Sequence, residues 1–231
     1  MKNFSRGIVD GIPIMLGYLS VSFGFGILVM KSGLSVLSAV MISATNLTSA
    51  GQVAGLSVIV AGGTLIELIF CQLVINIRYS LMGFSLSQKL DSSFKTPQRL
   101  IVSFGITDEI FAVASAQKGK INARYMYGLI TISFVGWVSG TLLGAVAGEF
   151  LPSQVTDALG LMLYAMFIAI IVPPAKKNYR VLFVVLFALA LSLFVTYVCT
   201  FISAGFSVII CALISSVICA LVFPISEEEE V

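Results

Sequence analysis

Long apolar runs constrain this chain more than any other feature, and two adjacent carboxylates interrupt one of them. The runs fall at about 10 to 30, 35 to 61, 64 to 87, 100 to 117, 125 to 148, 158 to 174, 180 to 200 and 204 to 223. Several approach the ~20 residues that a helix needs to cross a bilayer. Only 10% of the residues are charged, where a soluble domain carries about 25%. A soluble core could not hide so much apolar sequence. The expected fold class is therefore all-α: a polytopic membrane protein of seven or eight hydrophobic helical segments, one or two of them broken or re-entrant near the bilayer midplane. It forms a single integral membrane domain across 1–231, with a short acidic tail at 225–231.

Charge and rare residues narrow the function. Formal net charge is +2, but four of the eleven acids lie in the tail at Glu227 to Glu230, which leaves 13 basic and seven acidic residues elsewhere. The basic residues come in threes between apolar runs and form no extended patch, so they suit loops facing anionic lipid and not nucleic acid. Histidine is absent, which excludes Ser-His-Asp and Cys-His catalysis and His-ligated metal sites. Cys71, Cys199, Cys211 and Cys219 sit inside apolar runs without CxxC spacing, so they read as packing residues, and no metal or cofactor is expected. The run after Lys2 and Arg6 is too long for a signal-peptide core and reads as a retained first helix.

Basic loops lie at 88 to 99 (Lys89, Lys95, Arg99), 118 to 124 (Lys118, Lys120, Arg124) and 175 to 180 (Lys176, Lys177, Arg180), whereas 149 to 157 holds only Glu149 and Asp157. The positive-inside rule puts the first three in the cytoplasm and the last outside. Two cytoplasmic loops can flank segment 100 to 117 only if it enters and returns, or lies among other helices without crossing. Its energetics agree. Eight Leu, Ile, Val and Phe residues favour insertion by roughly 0.3 to 0.6 kcal/mol each, and the central Asp108 and Glu109 oppose it by roughly 5 to 7 together. Protein or a water-filled cavity must hold such a segment. Counting crossings from a cytoplasmic N-terminus requires a second broken segment, and 35 to 61 is the candidate. Its centre, "ATNLTSAGQVAG", is small and polar and suits an unwound helix lining a site. Two polar-centred segments in corresponding places suggest a repeat.

Gly136, Gly140, Gly144 and Gly148 recur every four residues and clear one helix face for close contact, within the chain, with a second copy or with another subunit. Gly17, Ser20 and Gly24 do the same on the first helix. Gln72, Asn76, Tyr79 or Ser80, Gly83 and Ser87 give segment 64 to 87 one polar face. Arg78 lies about 200° around a regular helix from Asn76 and either reaches around to one site or extends to an interface. Glu67 is placed at the interface, Pro13 at a helix boundary, and Trp137 as an interfacial anchor.

The motifs "SAGQVAG", "NIRYSLMGFSLS" and "SFGITDEIFAV", in this order after a glycine-rich first helix beginning "GIP", resemble those of the AzlC family, large subunits of two-component branched-chain amino acid exporters. The resemblance implies a multi-pass protein of the bacterial cytoplasmic membrane that works with a small hydrophobic AzlD-like subunit. It also implies export of branched-chain and related apolar amino acids. The family often has histidine after the Asn-x-Arg pattern. This chain has Tyr79 there, so a proton relay through that histidine does not carry over.

Chemistry alone gives a compatible site. An amino acid needs a partner for its carboxylate, either Arg78 or helix N-terminal amides near Ser49, Gly51 and Gln52, and a partner for its ammonium, such as Asp108, Glu109 or free carbonyls. Substrate-binding candidates are thus Ser49, Gly51, Gln52, Asn76, Arg78, Thr107, Asp108 and Glu109. Proton coupling through a carboxylate is compatible with the same set. The alternative for Asp108 and Glu109 is structural, two acids capping a helix start. The alternative for the whole chain is the substrate-binding membrane subunit of an ATP-driven importer, whose ATPase would be a partner because no phosphate-binding glycine loop is present. An intramembrane enzyme is disfavoured, since adjacent residues on a helix diverge by about 100° and no histidine assists them.

Overall fold

The computed structural model describes residues 2–148, 150, 152, 154, 168, 171–199 and 201–223. The predicted run at 158 to 174 lies mostly outside the described residues, and the acidic tail lies wholly outside them. The helices are α1 (Lys2–Lys31), α2 (Val36–Thr45), α3 (Ser49–Val60), α4 (Leu65–Ser87), α5 (Thr96–Phe104), α6 (Asp108–Ser115), α7 (Ala123–Gly148), α8 (Tyr179–Val198) and α9 (Ala204–Val222). Residues 171–177 are also helical. Among the described residues, α4, α7, α8 and residues Asn3–Lys31 of α1 are long and apolar enough to cross a membrane. The fold is all-α, as the apolar runs predict.

The chain forms two compact units, Met1–Gln52 with Asn76–Leu163, and Val53–Ile75 with Tyr164–Val231. In the first, α1 and α7 pack side by side along their length. Gly136 meets Met15, Gly140 meets Leu19, and Gly144 meets Phe23, so successive steps of four residues advance both helices in the same direction. The two helices are therefore parallel. A Cβ added at any of these three glycines, or at Gly7, Gly26 or Gly128, would stand closer than 3.0 Å to the partner's backbone. The four-residue glycine spacing thus serves a contact within the chain, although Gly148 has ordinary clearance at 3.7 Å from Ile27. Gly17, in contrast, has open space around it. The face of α1 that packs carries Gly7, Leu19 and Gly26, and not the Gly17–Ser20 face.

Helix α1 begins earlier than its apolar run because its first turns are polar and amphipathic. At 30 residues it is about 45 Å long, more than the ~30 Å hydrocarbon core, so its start can lie in the polar layer. Pro13 sits inside it and not at a boundary.

Both predicted breaks are present. Segment 100 to 117 is two short helices, α5 and α6, separated at 105–107. Its flanking loops are tied to each other: the Asp91 amide donates to the Ile121 carbonyl at 2.9 Å, and the Ile121 amide to the Lys89 carbonyl at 2.7 Å. Lys89 Nζ donates to the carbonyls of Ser115 at 2.5 Å and Gln117 at 3.2 Å, Lys120 Nζ donates to the Gln88 carbonyl at 2.8 Å, and Asn122 donates to Asp91 at 2.9 Å. The segment therefore leaves and returns on one side. Its returning end is also held by Asp10, which accepts from Tyr125 at 2.9 Å and Gln117 at 3.3 Å, while Arg6 donates to Gln117 at 2.9 Å. Because α7 starts there and runs parallel to α1, the start of α1 lies on this same basic side.

Segment 35 to 61 turns back as well. Gln52 Nε2 donates to Ser43 Oγ at 2.8 Å and to the Asn46 carbonyl at 3.0 Å, whereas nine residues of straight helix would separate positions 43 and 52 by about 13 Å. Asn46 is extended, at φ −139° and ψ 103°. Since α4 is continuous over 23 residues and ends at the basic loops, the chain between α1 and α4 starts and finishes on the opposite side.

In the second unit, α8 and α9 pair antiparallel, with Tyr179 and Phe183 edge-on to Phe223 at 5.8 and 5.4 Å. Glu67 is buried and not interfacial. Ser203 Oγ donates to its carboxylate, and the Thr64 amide lies 3.4 Å from it, so protein donors replace the water expected for it.

Candidate functional site

The second re-entrant turn is built from Gly105, Ile106 and Thr107. Gly105 lies so close to Ile130 of α7 that a side chain would collide there, and Ile106 is buried against the core. Thr107 caps α6, its Oγ1 accepting from the Ile110 amide at 3.3 Å. Asp108 and Glu109 follow in the first turn of that helix, where the free amides favour negative charge.

The two acids have different partners, as their 100° divergence predicts. Arg78 donates to Asp108 at 2.7 Å, and its other nitrogen donates to the Tyr79 hydroxyl at 3.2 Å. The Arg78 and Asp108 side chains are 46% and 41% exposed, an open ion pair on segments that otherwise belong in lipid. Hydrocarbon would not tolerate it, so water, a ligand or a further protein must face it. Glu109 accepts from the Tyr18 hydroxyl at 2.6 Å, and Tyr18 and Thr107 hydroxyls are 2.5 Å apart. Tyr18 has one proton and gives it to the carboxylate, so Thr107 donates to Tyr18: the order is Thr107, Tyr18, Glu109. Tyr18 is itself buried at 7% exposure, edge-on to Trp137 at 5.0 Å. Trp137 is thus a core residue, not an interfacial anchor.

The first break supplies matching chemistry. Thr48 caps α3, its Oγ1 accepting from the Gly51 amide at 3.2 Å. The Thr48 side chain lies beside that of Tyr79, whose hydroxyl accepts from Arg78, and this places the break next to the Arg78–Asp108 pair. Gln52 anchors a buried relay: Ser43 Oγ lies 2.6 Å from Thr141 Oγ1, which donates to the Trp137 carbonyl at 3.2 Å. Gln52 Oε1 and Trp137 Nε1 are buried and lack partners among the described residues.

Of the predicted residues, Arg78, Thr107, Asp108 and Glu109 come together, and the Thr48 cap brings the Ser49–Gly51–Gln52 turn alongside. Asn76 is half-buried one turn before Tyr79 on α4, about 200° around the helix from Arg78. Thr48 belongs to the small, polar centre read from segment 35 to 61, whereas nothing in the sequence marks Tyr18 or Ser43. Tyr18 stands in "GYLSVSFGFG", where the small residues draw attention to packing and nothing local marks the tyrosine as a partner for a residue 91 positions away.

Parallel glycine-seamed helices with two re-entrant hairpins, the second carrying ionisable groups at its turn, define a polytopic helical membrane protein. Residues 13–151 match the family described as AzlC protein, and the chain belongs to that family. Over 182 residues it is 30% identical to the inner membrane protein YgaZ of Escherichia coli, covering 76% of this chain and 74% of that one. A membrane protein of Archaeoglobus fulgidus is 33% identical, covering 76% and 78%. The branched-chain amino acid transport protein AzlC of Bacillus subtilis is 23% identical, covering 74% and 68%. No solved structure matches the chain.

Proposed function

We propose that this chain is the membrane subunit of a secondary exporter of branched-chain and related apolar amino acids in the bacterial cytoplasmic membrane. It works there with a small hydrophobic AzlD-like subunit. The observation that carries the reading is the half-open cluster of Arg78, Asp108 and Glu109 at a hairpin turn, reinforced by the transport function in the name of the Bacillus relative. A zwitterion matches it. The ammonium is taken by Asp108 or Glu109, with the unpartnered Gln52 Oε1 as a further acceptor in the first turn, and the carboxylate by Arg78, the Trp137 indole N–H or the α3 amide at Ser49. Burying Gln52 Oε1 and Trp137 Nε1 without partners costs about 1 to 3 kcal/mol each, a penalty that a bound acceptor and donor would offset. One carboxylate also carries a coupling proton.

The test is efflux of labelled leucine, isoleucine and valine from cells carrying the chain with its AzlD-like subunit. Asp108→Asn and Glu109→Gln are expected to express and assemble normally, with at least one abolishing export and its pH dependence. Two variants that assemble and export at the normal rate would overturn the assignment.

A further inference from the structure

The two hairpins make the same contacts in exchanged form. A crossing helix precedes each: α1 before α2–α3, and α4 before α5–α6. The crossings run in opposite directions, because α1 leaves the basic side and α4 returns to it. Each hairpin turns at a small or polar residue, then a buried aliphatic one, then a buried threonine, namely Asn46-Leu47-Thr48 and Gly105-Ile106-Thr107. Each threonine caps the following helix through the amide three residues on. Each crossing helix carries a tyrosine, 30 residues before Thr48 in one case and 28 before Thr107 in the other. The pairs then cross: Tyr18 of α1 bonds Thr107 of the second hairpin, and the Tyr79 side chain of α4 lies beside that of Thr48 of the first.

We propose that Tyr18 and Tyr79 are equivalent positioning residues of two inverted halves, each holding the turn of the hairpin that belongs to the other half. Symmetry holds for the scaffold and fails for the charges. Where the second half has Arg78, Asp108 and Glu109, the corresponding positions of the first are Gly17, Ser49 and Ala50. The second half therefore binds the charged end of a ligand. The first half meets it with neutral amides and small side chains, the asymmetry that a molecule with one charged end and one apolar end requires. The hairpins enter from opposite sides, so the two tyrosine–threonine contacts restrain access from opposite sides. Inverted halves meeting at broken helices are a general basis for such alternation.

The charge assignment rests on the transport reading above, but the restraint can be measured without substrate, so the two fail separately. Cys71, Cys199, Cys211 and Cys219 are replaced by serine, Ala50→Cys is introduced beside the turn, and the full chain with its AzlD-like subunit is placed in right-side-out and inverted vesicles. Labelling by a membrane-impermeant maleimide is compared between the faces. Tyr18→Phe is expected to raise labelling from the basic face about fivefold relative to the other, the population shift that loss of one net hydrogen bond allows. Tyr79→Phe should shift the ratio oppositely. Thr107→Val should follow Tyr18→Phe, and Thr48→Val should follow Tyr79→Phe. General loosening of the fold would move both tyrosine variants in the same direction. That result, or no shift in either variant, overturns the proposal.

Discussion

Single side chains decide how the basic-side loops close, and Asp91 is the clearest case. The Ser93 hydroxyl donates to its carboxylate and holds the group below the usual carboxylate range against partial burial, with Asn122 and the Ser93 amide adding to the effect. A folded-state pKa below the unfolded value of about 3.9 means that the ionised group stabilises the loop fully above that pH. The contribution is lost as pH falls through the lower folded value. Asp91→Asn should therefore reduce the thermal midpoint of the detergent-solubilised protein by a similar amount from pH 5 to pH 8. The gap between the wild-type and variant midpoints should shrink progressively as pH falls below about 4. A gap that stays constant down to the acid limit of the folded protein would show that Asp91 acts through shape and not charge. Little of this is legible in the sequence, where Asp91 and Asn122 are merely polar residues in separate loops. By contrast, Asp108 and Glu109 stand out at once, because their cost in hydrocarbon makes them anomalous wherever they fold. Their partner Tyr18 is hidden because a tyrosine in an apolar helix costs little.

At the scale of elements, the α1–α7 pair tests the packing argument. Gly140 and Gly144 face the backbone carbonyls of Leu19 and Phe23, and backbone cannot rotate out of the way as a side chain can. Overpacking costs about 1 to 3 kcal/mol per site where side chains can adjust, so Gly140→Leu with Gly144→Leu should exceed that. The expected result is loss of folded protein in a detergent size-exclusion assay. Gly17→Ala, with open space around it, should leave the yield unchanged. A normal yield from the double variant would show that the helices can separate without consequence. The breaks in 35 to 61 and 100 to 117 were legible because small, polar and acidic residues at the centre of an apolar run conflict with an unbroken crossing. The choice of packing face on α1 was not. Gly17, Ser20 and Gly24 form as good a small-residue stripe as the face that actually packs, and only the position of α7 distinguishes them. Pro13 misled for a related reason, since proline marks helix ends in water but is tolerated within membrane helices.

For the molecule as a whole, the order of crossings follows from three links: the tied loops around α5–α6, the parallel course of α1 and α7, and the continuity of α4. Together they put the chain start, the 88–99 loop and the 118–124 loop on one side, and the ends of α2–α3 on the other. The basic residues assign the first side to the cytoplasm. The positive-inside pattern and the direct hydrogen bonds between the loops are independent of each other, since lysines can be distributed correctly on loops that never meet. Their agreement makes the topology sharply testable. In the background lacking the native cysteines, Ser92→Cys and Lys118→Cys lie on exposed positions beside the hairpin and should be labelled only from the cytoplasmic face. Lys31→Cys and Ala61→Cys, also exposed, should be labelled only from the outer face. Labelling of Ser92 and Lys118 from opposite faces would mean that α5–α6 crosses the bilayer, which its two central acids and the Asp91–Ile121 pairing both oppose. Labelling of Lys31 and Ala61 from opposite faces would leave the second hairpin intact but would remove the first, and with it the inverted relation between Tyr18 and Tyr79.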